Sequence, residues 1–362
     1  MQRANVGVIG LGEVAQIVHL PILEALSDRY RIAALCDVSP TLLHTMGDRY
    51  QVDQRYTDAV ALTEQADLDA VFVLNSDEYH ADCVVATVRN GKHVLVEKPM
   101  CLTPREAEEI IAARDEAGVQ VMVAYMRRFA PAFLAAVEEV QQLDKINFVR
   151  VHDIIGRNRL IIDQSTVVVR PADIPLAVAQ DRTDRAARLV REAIGEASPD
   201  LVTAYRFLLG LASHDISALR ELLGMPKRVA AASHWNGGKF LTALLEYDDF
   251  SGTLEIGVDE QLRFDAHIEV YGTTKSVRVQ YDSPYIRHLP TTLIVNETIG
   301  DAYTERVVRP TYKDPYTHEL EFFHDVVTKG ASPKTTPEDF LEDLRVFGMI
   351  IEALRSAATS RT

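Results

Sequence analysis

Cysteine is scarce in this chain: three occur among 362 residues, at Cys36, Cys83 and Cys101. An odd number without paired spacing argues against a disulfide framework and against the usual zinc motifs. All three lie in or beside apolar segments, so we expect reduced core residues of a cytoplasmic protein. The 11 histidines are scattered and form no H-E-x-x-H pair, so we predict no metal site.

Long apolar runs are also missing. No stretch approaches the roughly 18 apolar residues that a membrane-spanning helix needs. The opening MQRANVGVIG leads almost directly into an apolar strand, without the charged region, apolar run and cleavage site of a signal peptide. We therefore expect neither a membrane span nor an export signal.

Positive charge is the third deficit. Lys and Arg number 38 against 53 Asp and Glu, which gives a net charge of -15. This balance argues against a nucleic-acid partner held through its phosphates and against binding to an anionic membrane surface.

The first half of the chain alternates apolar strands with amphipathic helices. The predicted strands read NVGVIG, RIAALCD, LDAVFVLN, HVLVE and VQVMVAY. One of the helices has clear boundary signals: Thr103 as N-cap, Pro104 in the first turn, Glu106 completing a capping box, and Gly118 at the end. Strands that are apolar throughout and are joined by helices predict a parallel sheet covered on both faces.

The stretch GLGEVA, residues 10–15, fits the pattern G-x-G-x-x-G/A between the first strand and the first helix. Gly10 allows a tight turn, and Gly12 allows a pyrophosphate to approach the helix N-terminus, where Glu13 and Val14 supply the first helical N–H groups. Asp37 ends the second strand, roughly 20 residues later, where a carboxylate accepts hydrogen bonds from the adenosine ribose. The alternative is a tight strand–helix turn without a ligand.

The stretch HVLVEKPM, residues 93–100, ends an apolar strand abruptly in Glu97, Lys98 and Pro99. A surface salt bridge is one interpretation. The other is a functional turn, because ligands bind at the carboxyl edge of such a sheet and Pro99 restricts the backbone of Lys98 to extended conformations.

The second half of the chain has a different pattern of predicted strands and helices. After a helix from Pro131 to about Asp144, strand patterns follow at hairpin-like spacing, and two helical segments close the chain. We predict an α/β protein with two domains, residues 1–125 and 126–362, in which the last helices pack back toward the first. The second domain is α+β, built on an open, mostly antiparallel sheet. Between its elements lies a mixed segment from Gly156 to about Asp200.

Several of these motifs resemble the Gfo/Idh/MocA (glucose–fructose oxidoreductase / inositol dehydrogenase) family. They are the GxGxxA fold, the strand ending EKP, and the segments YMRRFAP, HIEVYGTTKSVRV and YTHELEFFHDVV. The similarity covers nearly the whole chain except roughly residues 157–200. It implies a Rossmann dinucleotide-binding domain, a second domain with an open mixed sheet, and NAD or NADP as cofactor.

The resemblance also implies site residues. Lys98 reaches the substrate hydroxyl or carbonyl beside the nicotinamide, and Glu97 anchors the turn. In NSDEYH, His80 matches the family histidine, whereas Asn75 and Ser76 stand where the family has Thr-Pro. Arg128 matches the usual cofactor arginine, with a salt bridge at the domain interface as its alternative role. Tyr125 is a weaker candidate for substrate contact.

The segment LLGLASHDISALRELLG departs from the family. His214 matches the family histidine, but Gly210 stands where an Asp is common. We expect His214 to be the acid/base partner of Lys98, because a neutral imidazole suits hydroxyl deprotonation near neutral pH. A satisfied core histidine is the alternative. Asp215 is a weaker candidate for substrate contact, which would compensate in part for the missing carboxylate; the alternative is that it caps or orients His214.

The predicted activity is NAD-dependent oxidation of a secondary ring hydroxyl of a sugar, cyclitol or glycoside. Asp37 and the absence of a following Arg favour NAD over NADP. Gly210 widens the sugar pocket, so a keto-glycoside product is favoured, and residues 156–200 serve either as an aglycone contact or as a dimer contact. The alternatives are an inositol-type dehydrogenase, a glycosidase that uses NAD, and a non-catalytic NAD-binding sensor. An open sheet face predicts a homo-oligomer, dimer or tetramer.

Overall fold

The structure of the chain is a computed structural model that describes residues 2–359. Its contacts divide the described chain into two compact units. Unit 1 contains residues 2–125, 166–195 and 319–341, and unit 2 contains residues 126–165, 196–318 and 342–359.

The strands and helices are numbered in chain order. The strands are β1 Ala4–Ile9, β2 Tyr30–Cys36, β3 Gln54–Tyr56, β4 Ala70–Val73, β5 His93–Glu97, β6 Val121–Ala124, β7 Phe148–Ile155, β8 Arg228–Trp235, β9 Phe240–Glu246, β10 Ser251–Val258, β11 Phe264–Tyr271, β12 Lys275–Tyr281, β13 Thr292–Ile299 and β14 Ala302–Val308. The helices are α1 Leu20–Ala25, α2 Pro40–Tyr50, α3 Ala59–Thr63, α4 His80–Arg89, α5 Pro104–Ala117, α6 Pro131–Gln141, α7 Asn158–Ser165, α8 Leu176–Ile194, α9 Pro199–Phe207, α10 Ser213–Leu223, α11 Pro315–Lys329 and α12 Pro337–Thr359.

Unit 1 has a six-stranded parallel sheet in the order β3-β2-β1-β4-β5-β6. The central strands are buried along their length, as in β4, because helices cover both faces. The capping box of Thr103 and Glu106 at the start of α5 and the left-handed Gly118 at its end confirm the helix boundaries predicted from sequence. This strand order is that of a Rossmann fold, so the expected parallel sheet is confirmed.

Part of unit 1 comes from distant sequence. Helix α11 contributes Phe323, whose ring lies edge-on to Phe72 of β4 at 5.6 Å. The hydroxyl of Tyr30 on β2 donates to the carbonyl of Leu320 at 2.6 Å. These contacts join residues 319–341 to the Rossmann sheet.

Unit 2 has an eight-stranded sheet in the order β14-β13-β12-β11-β7-β10-β9-β8. Only the β7–β10 pair is parallel, so the prediction of a mixed, mostly antiparallel sheet is confirmed. Strand β7 alternates buried and half-exposed side chains, which is typical of a strand with one covered face.

Three elements differ from the sequence prediction. Strand β14 was not expected, because its sequence AYTERVV is neither apolar throughout nor alternating, and its side chains are mostly exposed at the sheet edge. The charged residues of the mixed segment predict a helix from about Asp184 to Ile194, whereas helix α8 begins earlier, at Leu176. The first helix begins with one turn of π-helix, Ala15–His19, before α1.

Candidate active site

The glycine loop, residues 10–12, follows β1 and leads into the π-helix Ala15–His19. Gly10 has φ +93°, and a Cβ built there would approach the backbone nitrogen of Asn75 to 2.4 Å. Glycine is therefore required both by the backbone conformation and by the close approach of the loop after β4. A Cβ built at Gly12 meets no atom within 4 Å, so open space lies beside this residue. That space and the helix start at Glu13 and Val14 fit a pyrophosphate.

Asp37 follows β2 and binds the glycine loop. One carboxylate oxygen accepts the Leu11 N–H at 2.8 Å, and the other accepts the Ser39 N–H at 2.8 Å. Burial raises the pKa of Asp37, and these two N–H groups partly offset that effect. A carboxylate has about four acceptor positions, so capacity remains for ribose hydroxyls.

The loop after β4 carries Asn75, Ser76 and His80. The Asn75 side-chain amide donates to the sulfur of Cys83 at 3.4 Å, and its Oδ1 is buried without a hydrogen-bond partner among the described residues. Ser76 precedes the short 3-10 helix Asp77–Tyr79. The His80 ring lies between the carbonyl oxygens of Asn75, at 3.0 Å from Nε2, and Pro99, at 2.8 Å from Nδ1. His80 therefore joins this loop to the turn that holds Lys98.

The turn after β5 is fixed by Glu97. Its carboxylate is 2.8 Å from Nε2 of His19 and accepts the Lys98 N–H at 3.1 Å. Burial acts to raise the pKa of Glu97, but the hydrogen bond of His19 and the charges of His19, Lys98 and His80 together lower the pKa. The Lys98–Pro99 peptide bond is cis, and Lys98 is half-buried. An ionised Glu97 thus holds the backbone of Lys98.

These unit 1 residues meet at one edge of the sheet. The carboxyl ends of β1, β2, β4 and β5 are where ligands bind in open parallel sheets. The structure brings together the following predicted residues of unit 1 at this edge: Gly10, Gly12, Glu13, Val14, Asp37, Asn75, Ser76, His80, Glu97 and Lys98.

The two arginines of YMRRF, in the 3-10 helix Met126–Phe129 of unit 2, differ in their partners. Arg128 is buried and ion-paired with Glu221 of α10, which belongs to the same unit. Arg127, which sequence reasoning missed, donates to Asp215 at 2.6 Å and to Asp153 at 2.9 Å. Its guanidinium also lies 4.6 Å from the ring centre of Tyr281. Arg127 is thus the cation of a buried cluster with two carboxylates.

Asp215 belongs to this cluster, which favours its orienting role over a contact with substrate. Burial raises the pKa of Asp215 well above its ordinary value, and nearby Asp153 adds to the effect while Arg127 opposes it. The neighbouring His214 is the second residue of α10 and is 9% exposed. A π-helical turn, Leu208–Ala212, precedes it, and a Cβ built at Gly210 in this turn meets no atom within 4 Å.

Tyr125 ends unit 1 as a packed residue. It is 1% exposed, and its ring stacks on Phe340 with centroids 6.4 Å apart. This environment favours a structural role. Lys98 belongs to unit 1 and His214 to unit 2, so their pairing in catalysis stays a prediction.

Among residues 2–359, no group of three or more His, Cys, Asp or Glu is arranged to hold a metal ion. None of the helices in this part of the chain combines the length and apolarity needed to cross a bilayer.

Parts or nearly all of the chain match a family model and several named proteins. The model of an oxidoreductase family with an NAD-binding Rossmann fold, Gfo/Idh/MocA, matches residues 4–125. Inositol 2-dehydrogenase of Rhizobium meliloti (strain 1021) is 24% identical over 370 residues, covering 98% of this chain and 97% of that protein. D-xylose 1-dehydrogenase (NADP(+)) 2 of Haloferax volcanii is 24% identical, covering 97% of this chain and 98% of that protein.

Solved structures share the fold over the same length. The crystal structure of a 3-ketoreductase from Actinomadura kijaniata, in complex with NADP and TDP-benzene, superposes with a TM-score of 0.72. It is 21% identical and the match covers 98% of each chain. This likeness concerns both units of the described chain.

Proposed function

We propose that the chain is an oxidoreductase of the Gfo/Idh/MocA family, whose model matches residues 4–125, and that it oxidises a secondary ring hydroxyl of a sugar, cyclitol or glycoside with NAD. The observation that carries the proposal is the position of Lys98. Its turn lies at the same sheet edge as the glycine loop and Asp37, and His80 links it to the loop of Asn75. Bound NAD supplies a nicotinamide ring that accepts the hydride from the carbinol carbon.

Side chains of the protein are proposed to accept and transfer the proton of the substrate hydroxyl. Lys98 is proposed to take the hydroxyl proton or to pass it on, since oxidation to a ketone releases one hydride and one proton. Glu97 holds the backbone of Lys98 through a 3.1 Å hydrogen bond and so fixes where the side chain starts. His214 is proposed as the second acid/base group, as the family resemblance implies.

The proposal is tested by a substrate screen that follows NADH absorbance. Free sugars, inositols and aryl glycosides are each supplied with NAD. NADH formation with at least one of them is the expected result. Product formation without NADH release would support an NAD-using glycosidase instead, and tight NAD binding with no turnover would support a sensor. The homo-oligomer and the cytoplasmic location remain predictions.

NAD is expected to bind about 10- to 100-fold more tightly than NADP. The reason is that the Asp37 carboxylate accepts hydrogen bonds from ribose hydroxyls but repels a 2′-phosphate. Calorimetric titration of both dinucleotides measures the ratio. Equal affinity would remove Asp37 from this role. The Haloferax relative is named for NADP and the Actinomadura structure contains NADP. The titration therefore distinguishes between NAD and NADP as the cofactor of this chain.

A glycoside is expected to be a better substrate than the corresponding free sugar. The expectation rests on the sequence, because Gly210 stands where a carboxylate is common in the family; in the structure Gly210 is exposed, and a side chain built there meets no other part of the protein within 4 Å. The measurement is kcat/KM on matched pairs, a sugar with and without an aryl substituent. A free sugar that equals or exceeds its glycoside would contradict the expectation and favour an inositol-type or aldose substrate.

A further inference from the structure

In segment 166–195, the residues from Val169 to Asp173 contact elements of unit 1 that lie next to the glycine loop and Asp37. Gln16, in the π-helix after the glycine loop, accepts the Val169 N–H at 2.9 Å and donates to the Val169 carbonyl at 3.0 Å. One residue on, Arg170 lies 3.3 Å from Glu13. The sequence alone left this segment as an aglycone contact or a dimer contact. In the structure, three of its residues contact the helix that follows the glycine loop or the first turn of α2, which follows Asp37.

The third of these residues is Asp173, which binds the first turn of α2. Its carboxylate accepts the Ser39 hydroxyl at 2.5 Å, the Thr41 N–H at 2.9 Å and the Thr41 hydroxyl at 2.7 Å. These donors lower the pKa of Asp173 to about 2, so it is an anion at neutral pH. Ser39 also donates its N–H to Asp37. Two carboxylates therefore flank Ser39, one on its N–H and one on its hydroxyl.

Helix capping does not account for this arrangement. The Ser39 side chain already caps α2, because its oxygen accepts the Leu42 N–H at 3.2 Å. Asp173 is an additional anion from a segment 132 positions away from Thr41. It occupies hydroxyl and N–H donors beside the residue expected to hold the ribose.

We propose that Asp173 is a second determinant of cofactor specificity, which excludes a 2′-phosphate by occupying the donors that such a phosphate would need. This inference rests on the proposed use of NAD. A phosphate beside Asp37 requires cations or N–H and O–H donors. Residues 38–42, Val-Ser-Pro-Thr-Leu, contain no Lys or Arg, so the donors available there are those of Ser39 and Thr41. With Asp173 in place, an incoming phosphate meets a second negative charge instead.

The test is equilibrium binding, measured by calorimetry without turnover. The ligands are NAD, NADP and the fragment 2′,5′-ADP, and the variants are Asp173→Asn and Asp173→Ala. Both variants are expected to bind NADP and 2′,5′-ADP roughly tenfold more tightly than the wild type, since a repelling charge is removed and donors are released. NAD binding is expected to stay within about threefold, which also shows that the variants are folded.

Asp184→Asn is the matched control. Asp184 lies on α8 in the same segment and accepts a hydrogen bond from Gln180 at 2.9 Å, within its own helix. This variant loses the same charge but is expected to leave the affinity for NADP unchanged. An equal gain in the control would show a general charge effect and overturn the proposal.

The other outcomes separate this inference from the proposed function. If both Asp173 variants bind NADP and 2′,5′-ADP as the wild type does, while NAD remains preferred, the inference fails and Asp37 alone sets the preference. If the wild type binds NADP as tightly as NAD, the preference itself fails, and the inference with it. If neither dinucleotide binds, the proposed NAD-dependent function is wrong, and the inference about Asp173, which rests on it, is wrong as well.

Discussion

Replacement of Lys98 by methionine is expected to lower turnover by about 10²–10⁴-fold while NAD binding stays within a few fold. That range is the usual contribution of a positioned acid/base group. Methionine keeps the length and apolar stem of lysine but cannot exchange a proton. Because Glu97 binds the backbone N–H of residue 98 rather than depending on the ammonium alone, the turn is expected to persist in the variant. Steady-state kinetics and an NAD titration measure the two quantities.

Lys329→Met is the control for this experiment. Lys329 is 59% exposed at the end of α11 in the same unit and pairs with Asp325, so its loss is expected to leave turnover unchanged. His214→Ala is expected to behave as Lys98→Met does and also to remove an ionisation from the pH–rate profile. Near-normal turnover in Lys98→Met would make Lys98 a structural residue.

Both sheets could be predicted because their strands carry strong local patterns. The strands of unit 1 are apolar throughout and those of unit 2 alternate, and the two patterns distinguish a sheet covered on both faces from one covered on one face. Strand β14 has no such pattern. Its side chains are exposed, so its strand conformation depends on pairing with β13 rather than on burial. The sequence of a strand stabilised in that way gives little indication of its conformation.

The site in unit 1 could be predicted because each residue sits in a loop of recognisable type. The glycine pattern placed Gly10 and Gly12, the strand end placed Asp37, and EKP placed Lys98. The contacts among these loops could not be predicted in the same way. The bonds from Asp37 to Leu11 and from Asp173 to Thr41 join residues far apart in sequence, and local patterns carry no information about such pairs.

The buried cluster of unit 2 was missed for a different reason. Arg127 and Arg128 are adjacent in a short 3-10 helix, so spacing alone does not show which one faces the core. A signal was nevertheless present on β7. Asp153 occupies a position in phase with Val149, Val151 and Ile155, all on the buried face of the strand. A carboxylate in such a position needs a cation or a proton, which points to a nearby arginine.

Replacement of Arg127 by methionine is expected to destabilise unit 2 by roughly 3–5 kcal/mol at neutral pH. Arg127 donates to both Asp153 and Asp215, and all three side chains are buried. Removing the guanidinium leaves two carboxylates without their cation, which is far more costly than losing an exposed ion pair. Trp235, the only tryptophan, lies on β8 in unit 2, so its fluorescence during urea unfolding reports on this unit.

The size of this loss is expected to depend on pH. Burial already raises the pKa of Asp215, and without Arg127 that pKa rises further. Between the pKa of Asp215 in the folded wild type and its higher pKa in the folded variant, the variant binds more protons than the wild type, so the variant loses stability relative to the wild type as pH rises. The free-energy difference between variant and wild type should therefore be smaller near about pH 5 than near about pH 8.

An exposed arginine of the same unit serves as the control for Arg127. Arg228 is 66% exposed and pairs with Glu246 on the neighbouring strand. Arg228→Met is expected to change the free energy of unfolding by no more than about 0.5 kcal/mol, without the pH dependence. If Arg127→Met unfolds at the same urea concentration as Arg228→Met at both pH values, the two carboxylates do not depend on Arg127. The cluster would then contribute little to the stability of the helix that carries His214.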